Sequence, residues 1–183
     1  MSLSSDDILQ FWFEDIEHSC WFRKDVEFDN ELRQRFGDLL IQARDGRLDH
    51  WCDTSRGKLA LIVVLDQFSR NIYRDQSEAF AADAKALELA LEGIRAGLDE
   101  ELSLEQRSFF YLPLRHAEDL EMQELGLAKT RELNDAGYGT DKYALNHLEI
   151  IRQFGRFPHR NKVLGRSNTA EEESYLEDGK RGF

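Results

Sequence analysis

The sequence predicts an all-α protein of stacked antiparallel helical hairpins, about seven to eight helices. Three observations carry that expectation. Apolar residues recur at spacings of three and four along most of the chain, and no segment sustains the period-two alternation of a half-buried strand. Only two prolines and twelve glycines interrupt 183 residues, which favours long helices over turn-rich sheets. Two capping-box patterns, Ser103-Leu-Glu-Gln106 and Thr169-Ala-Glu-Glu172, mark helix starts.

Ser4 or Ser5 is expected to cap a first helix carrying Ile8, Leu9, Trp12, Phe13 and Ile16. Asp6 and Asp7 fall in its first turn, where the helix dipole favours anions. The aromatic connector Cys20-Trp21-Phe22 is expected to plug the gap before a second helix, from about Phe28 to Ala43. There Leu32, Phe36, Leu39 and Leu40 recur, and Gly46 marks the stop. The third helix runs roughly from Ser55 to Tyr73. Its stretch from Leu59 to Leu65 is apolar all round, as in a helix buried on every side. A buried strand would also fit that stretch, but the pattern continues through Phe68 and Ile72, which is long for a strand. Ser77 is expected to cap a fourth helix that reaches Ala96 and closes at Gly97. The fifth opens at Ser103 and carries Phe109, Phe110, Leu112 and Leu114, with Pro113 inside it as a kink or break. A sixth covers about Glu118 to Ala136, ended by Gly137-Tyr138-Gly139. Thr140 is expected to cap a seventh, from Asp141 to Phe154, limited by Pro158. The expected division is one helical domain over residues 1–168 and a short terminal helix with a frayed tail over residues 169–183.

Charge and composition exclude several classes. Acidic residues number 36 against 24 Lys and Arg, a net charge of −12, which repels a phosphate backbone and argues against non-specific nucleic-acid binding. Cys20 and Cys52 form no C-x-x-C and no zinc spacing, so reduced thiols are expected and neither a metal nor a cofactor is implied. Met1 to Asp7 has no basic n-region and no apolar h-region, and the longest apolar run is far short of a membrane span. The expected location is the cytoplasm, with no membrane partner. Oligomeric state is open, because Phe11 to Phe13 suit a core as well as a dimer face.

Three segments concentrate the residues that carry chemistry. The first runs from Asp66 to Arg74. Asp66 and Arg70 lie over the apolar stripe through Leu59, so a buried pair one turn apart is one reading. The other is that Gln67, Arg70, Asn71 and Arg74 line a polar cleft, where planar guanidiniums suit carboxylates or phosphates. The second segment holds His116 with Asp119 three residues on, a spacing suited to a general base and its carboxylate. The third holds His147, centred on an apolar arc and expected to be buried, then Arg156, His159, Arg160 and Asn161. Arg152, Arg156, Arg160, Lys162 and Arg166 follow one another with no acidic residue between them, a local reversal of sign that suits an anion or an acidic segment. P-loop, G-x-G-x-x-G, G-x-S-x-G and H-E-x-x-H signatures are absent.

A helix pair of about 34 residues invites comparison with tetratricopeptide repeats, but the W-x-x-L-G-x-x-Y pattern is missing. One faint internal echo pairs Gln67-Phe68-Ser69-Arg70 with Gln153-Phe154-Gly155-Arg156. Longer strings carry a resemblance to a known family. They are Phe11-Trp12-Phe13, Trp21-Phe22 with Phe28-Asp29, and the run from Leu65 to Arg74. Phe110-Tyr111-Leu112-Pro113-Leu114-Arg115-His116-Ala117-Glu118-Asp119 and Phe154-Gly155-Arg156-Phe157-Pro158-His159-Arg160-Asn161 complete the set. In this order they resemble the bacterial domain-of-unknown-function 924 family across nearly the whole chain. The resemblance implies an all-α fold similar to tetratricopeptide repeats and implies no activity. Ser69 departs from the family pattern, where proline commonly follows the Phe; serine should straighten the helix there and leave the arginines in place.

Two functional readings follow. One is a helical-repeat binding module, gripping a peptide, a protein segment or a small anionic ligand through Arg70, Arg74, Arg156 and Arg160. The other is a small hydrolase acting on an anionic small molecule, with His116, Asp119 and Asp66 as candidate catalytic groups. His116, Asp66 and Arg156 in one closed pocket would favour the enzyme; arginines spread along an open groove would favour the binder. A buried polar network that serves only packing is the third possibility.

Overall fold

The computed structural model describes residues 3–177, and the described residues contain helices and no strand. Helix α1, Ser5–Gln10, is capped by Ser4: the Asp7 N–H donates to the Ser4 hydroxyl and the Ser4 N–H donates to the Asp7 carboxylate. It widens into a π-helical stretch, Phe11–Asp15, that buries Phe11, Trp12 and Phe13 together. The connector behaves only partly as a plug. Trp21 is buried and its indole N–H donates to the Trp12 carbonyl, whereas Phe22 is 75% exposed. Helix α2, Val26–Arg44, starts before Phe28 because Asp25 caps it, accepting from the Glu27 and Phe28 amides.

Helix α3 begins as Ser55–Ile62, passes through a π-helical stretch Val63–Phe68, and ends as Ser69–Ile72. Every residue from Leu59 to Leu65 is 0% exposed, as the all-round apolar run requires. This helix packs against α1, α2 and the two helices that follow it, so it is the spine of the fold. At its start Gly57 lies against the Trp51 carbonyl; a Cβ there would sit 2.1 Å from that oxygen. Near its end Ser69 is fully buried and its hydroxyl accepts from Arg44.

Ser77 does not cap the next helix. Its hydroxyl donates to the Glu78 carboxylate, Ser77–Phe80 forms a 3-10 turn, and helix α4 runs over Asp83–Arg95. Gly97, left-handed at φ +71°, closes it as expected. Ser103 and Gln106 form the expected capping box of α5, Leu104–Phe110. The helix is interrupted at Tyr111, and Pro113 sits in the first turn of α6, Leu112–His116, where a missing N–H costs no hydrogen bond. Helix α7, Leu120–Asp135, and helix α8, Lys142–Phe154, pack together as a hairpin. Asp141 occupies the N-cap position of α8, and the Thr140 hydroxyl accepts from the Lys142 amide. Helix α9, Ala170–Glu177, opens on the predicted box of Thr169 and Glu172. The expected frayed tail lies outside the described residues.

The main core joins α1 through α7 around α3, with Phe36, Phe68 and Trp12 in ring contact at its centre. Helix α8 adds small satellite clusters, one of which seats Phe157 beside Ile150 and Ile151. No helix is long and apolar enough to cross a membrane among the described residues.

Candidate functional site

The π-helical stretch of α3 carries Asp66, which is 1% exposed. Such stretches recur at functional sites because they re-aim one side chain without ending the helix. The last residue of α6, His116, brings its Nδ1 to 2.7 Å from Asp66 Oδ1. Arg70, one turn along α3, lies 2.9 Å from the same oxygen and also grips the Asp83 carboxylate with two hydrogen bonds of 2.9 and 3.0 Å. Gln67 donates to the other oxygen of Asp66. Burial alone would raise the Asp66 carboxyl, but Arg70 and His116, with the hydrogen bonds from His116 and Gln67, hold it well below the ordinary carboxylate range. An ionised Asp66 can only accept, so the His116 Nδ1 carries the proton and Nε2 is left as the base. Burial first, and Arg70 second, push the imidazole below its ordinary value against the pull of Asp66, which keeps the ring neutral at pH 7.

The pair forms part of the wall of a cleft of about 390 Å³. Phe80, Ala84, Leu87, Pro113 and Leu164 supply an apolar lining, and Asp83, Glu118, Asp119 and Arg160 stand among them. Arg160 belongs to the 3-10 turn Pro158–Arg160 and is 6% exposed. Its guanidinium lies over the Phe80 and Phe157 rings at 4.8 and 4.4 Å and donates one hydrogen bond, 3.0 Å, to the His116 carbonyl. Its Nε has no partner among the described residues. Arg115, beside His116 in sequence, has a buried Nε that is likewise unpartnered. Burial lowers both guanidiniums to about 10, so both stay charged at neutral pH.

The remaining predicted residues divide among separate clusters. Arg74 and Asn71 both hold the buried Asp29 of α2, Arg74 with two hydrogen bonds. Arg156 makes two hydrogen bonds to Glu172 of α9, and Asn161 donates to the same carboxylate. His159 is exposed, with its ring 5.6 Å from that of Phe157. His147 is buried, as expected, with its ring 6.3 Å from His116. The internal echo has no structural counterpart: Arg70 lies within a helix, whereas Arg156 follows left-handed Gly155.

The chain matches, over residues 8–180, the family described as bacterial protein of unknown function, DUF924. It belongs to this family. A solved structure of a protein of unknown function, ATU0120 from Agrobacterium tumefaciens, is similar to it, with 41% sequence identity and a TM-score of 0.87. The likeness covers 96% of this chain and 97% of that one. No curated protein matches the chain. Every residue named in the clusters above lies within the span matched by the family.

Two expectations change within that span. Asp119 is not the partner of His116. The helix ends at His116 because Ala117 is extended, and Asp119 caps α7 by accepting from the Met122 amide. The carboxylate that meets the imidazole is Asp66, fifty residues earlier. Arg156 is absent from the cleft, and Arg160 takes that place. Asp83, Phe80 and Arg115 were missed by motif reading. Only packing brings Asp83 and Phe80 to the pair, and no local spacing marks Arg115. Among the described residues no three His, Cys, Asp or Glu side chains are grouped to hold a metal ion.

Proposed function

We propose that the cleft is the active site of a small hydrolase, with His116 as general base. One observation carries the reading: a buried, ionised carboxylate 2.7 Å from the Nδ1 of a histidine that lines an apolar cleft. Asp66 orients the ring and stabilises the imidazolium that forms when Nε2 takes a proton. Nε2 removes one proton from a water molecule while the water oxygen bonds to the carbonyl or phosphoryl centre. The bond to the leaving oxygen then breaks, and the imidazolium returns the proton to that oxygen. The apolar lining limits competing water.

The arginine-groove reading has less support. Arg70, Arg74 and Arg156 each spend their forks on a carboxylate of the same chain, which leaves little for a peptide. We also place the protein in the cytosol, since Cys20 and Cys52 are both free thiols.

Nitrophenyl esters of short acids, together with nitrophenyl phosphate, test the reading. The protein is expected to hydrolyse at least one of them above the buffer rate. His116→Gln should lower that rate by about 10²–10⁴-fold, the usual contribution of a general base, while leaving the unfolding midpoint of the fold in place. A rate unchanged in the variant removes His116 from the reaction.

A further inference from the structure

We infer that the cleft takes an amphipathic monocarboxylate, with its carboxylate on Arg160 and its hydrocarbon body against Phe80, Leu87 and Leu164. The inference rests on the cleft being the site, and it names the ligand class that the site selects.

The charge count around His116 is the first argument. Three guanidiniums, Arg70, Arg115 and Arg160, stand with two carboxylates, Asp66 and Asp83. Just outside them Glu118 and Arg166 neutralise each other through two hydrogen bonds of 2.6 and 2.9 Å. Asp119 caps α7 at the exposed rim, where water screens its charge and sets it apart from the inner cluster. The inner cluster therefore holds one positive charge in excess while the imidazole is neutral. In a site of low dielectric a single negative charge completes it, and a second would be uncompensated.

The donor count of Arg160 is the second argument. A guanidinium offers five N–H donors, and this one makes one hydrogen bond, to the His116 carbonyl. Its contact with Asp83 is long, at 3.7 Å. The two aromatic rings fix the plane of the fork, so it is pre-organised for a planar acceptor. A carboxylate meets both the charge and the geometry. The wall along Phe80, Ala84, Leu87 and Leu164 is apolar, and the charged groups Asp83, Glu118 and Asp119 of the lining are acidic and offer nothing to a second anionic end. At about 390 Å³ the cleft sits at the small end of ligand pockets, which run from about 300 to 1,000 Å³.

Hexanoate, hexanol, hexylamine and hexyl phosphate separate the terms of this inference, read by the rise in melting temperature with ligand concentration. Hexanoate is expected to raise it dose-dependently, and hexanol and hexylamine to do so only at much higher concentration. Arg160→Met keeps an unbranched side chain beside Phe80 and Phe157 and removes the charge; it should weaken hexanoate by about 10–100-fold, the worth of a charge-assisted hydrogen bond, and an undiminished shift overturns the inference. Ala84→Trp, at an exposed position of the cleft wall, fills the cleft without disturbing the core and should abolish the shift even where the Arg160 variant fails to fold. No shift with hexanoate overturns the inference, as does an equal shift in Ala84→Trp. Hexyl phosphate binding more tightly than hexanoate overturns the single-charge count. A protein that prefers hexanoate yet hydrolyses no ester keeps this ligand class and loses the hydrolase reading. Hydrolysis with no preference for the carboxylate does the reverse.

Discussion

Asp66 and His116 set each other's protonation, and that coupling has a measurable sign. Burial and Arg70 lower the imidazole, and the Asp66 charge and hydrogen bond oppose them. A base acts only when neutral, so the acid limb of kcat/KM should fall below the ordinary histidine value of about 6.5. In Asp66→Asn the opposition is gone, so that limb should move to still lower pH. The rate should drop by about 10²–10⁴-fold, through lost orientation of the ring and a weaker base. A limb that moves upward would mean that Asp66 does not act on His116. Arg160 obeys the same logic from the opposite side. Burial lowers it only to about 10, so it keeps its charge through the neutral range in which the imidazole is already a free base.

Helix α3 shows how one element serves packing and chemistry together. Its run from Leu59 to Leu65 is apolar on every face, its start is fixed by close approach, and its π-helical stretch carries Asp66 to His116 of α6. The close approach predicts a contrast between two glycines. Gly57→Ala would push a methyl group to 2.1 Å from the Trp51 carbonyl, and the backbone has to shift. A loss of about 1–3 kcal/mol is expected in urea unfolding. Gly37 lies inside α2, and a Cβ there meets nothing within 4 Å. Gly37→Ala should therefore stabilise by about 0.5–1 kcal/mol, since alanine restricts the unfolded chain. Equal effects from the two would show that the contact at Trp51 does not constrain α3.

Across the whole molecule, two carboxylates tie the segment that carries Arg160 to the rest of the fold. Glu118 accepts from the Phe157 amide and from Arg166, while Glu172 accepts from Arg156, Asn161 and the Thr169 amide. The hydrogen bonds from Arg156 lead in lowering Glu172 to about 2, against an ordinary value of 4.5. A depressed carboxylate stabilises the fold above its unfolded value, and that stabilisation is lost as pH falls toward the folded one. Glu172→Gln should lower the unfolding midpoint at neutral pH. The gap between the two proteins should close between about pH 4.5 and pH 2, as the native carboxylate is protonated. A gap that persists at pH 2 would show that the clamp does not depend on the Glu172 charge.

The helices were legible because their signals are local. Spacing at three and four residues, the boxes at Ser103 and Thr169, and the stop at Gly97 each need only a few neighbouring residues. The same local logic misplaced the helix start at Ser77, because a competing acceptor, Glu78, lies next to it. It also named most of the polar residues that matter, including Asp66, Arg70, His116 and Arg160. Their partners were out of reach. With 36 acidic and 24 basic residues, spacing allows far more charge pairs than can form. Spacing matches His116 to its near neighbour Asp119 instead of the distant Asp66, and it counts Arg156 among the ligand-gripping arginines although Glu172 occupies its fork. The sequence by itself determined which segments are helical and which faces are apolar, because both depend on backbone periodicity. Only the tertiary structure decided which charges meet, because that depends on how the buried helices pack and on which carboxylates they carry out of water together.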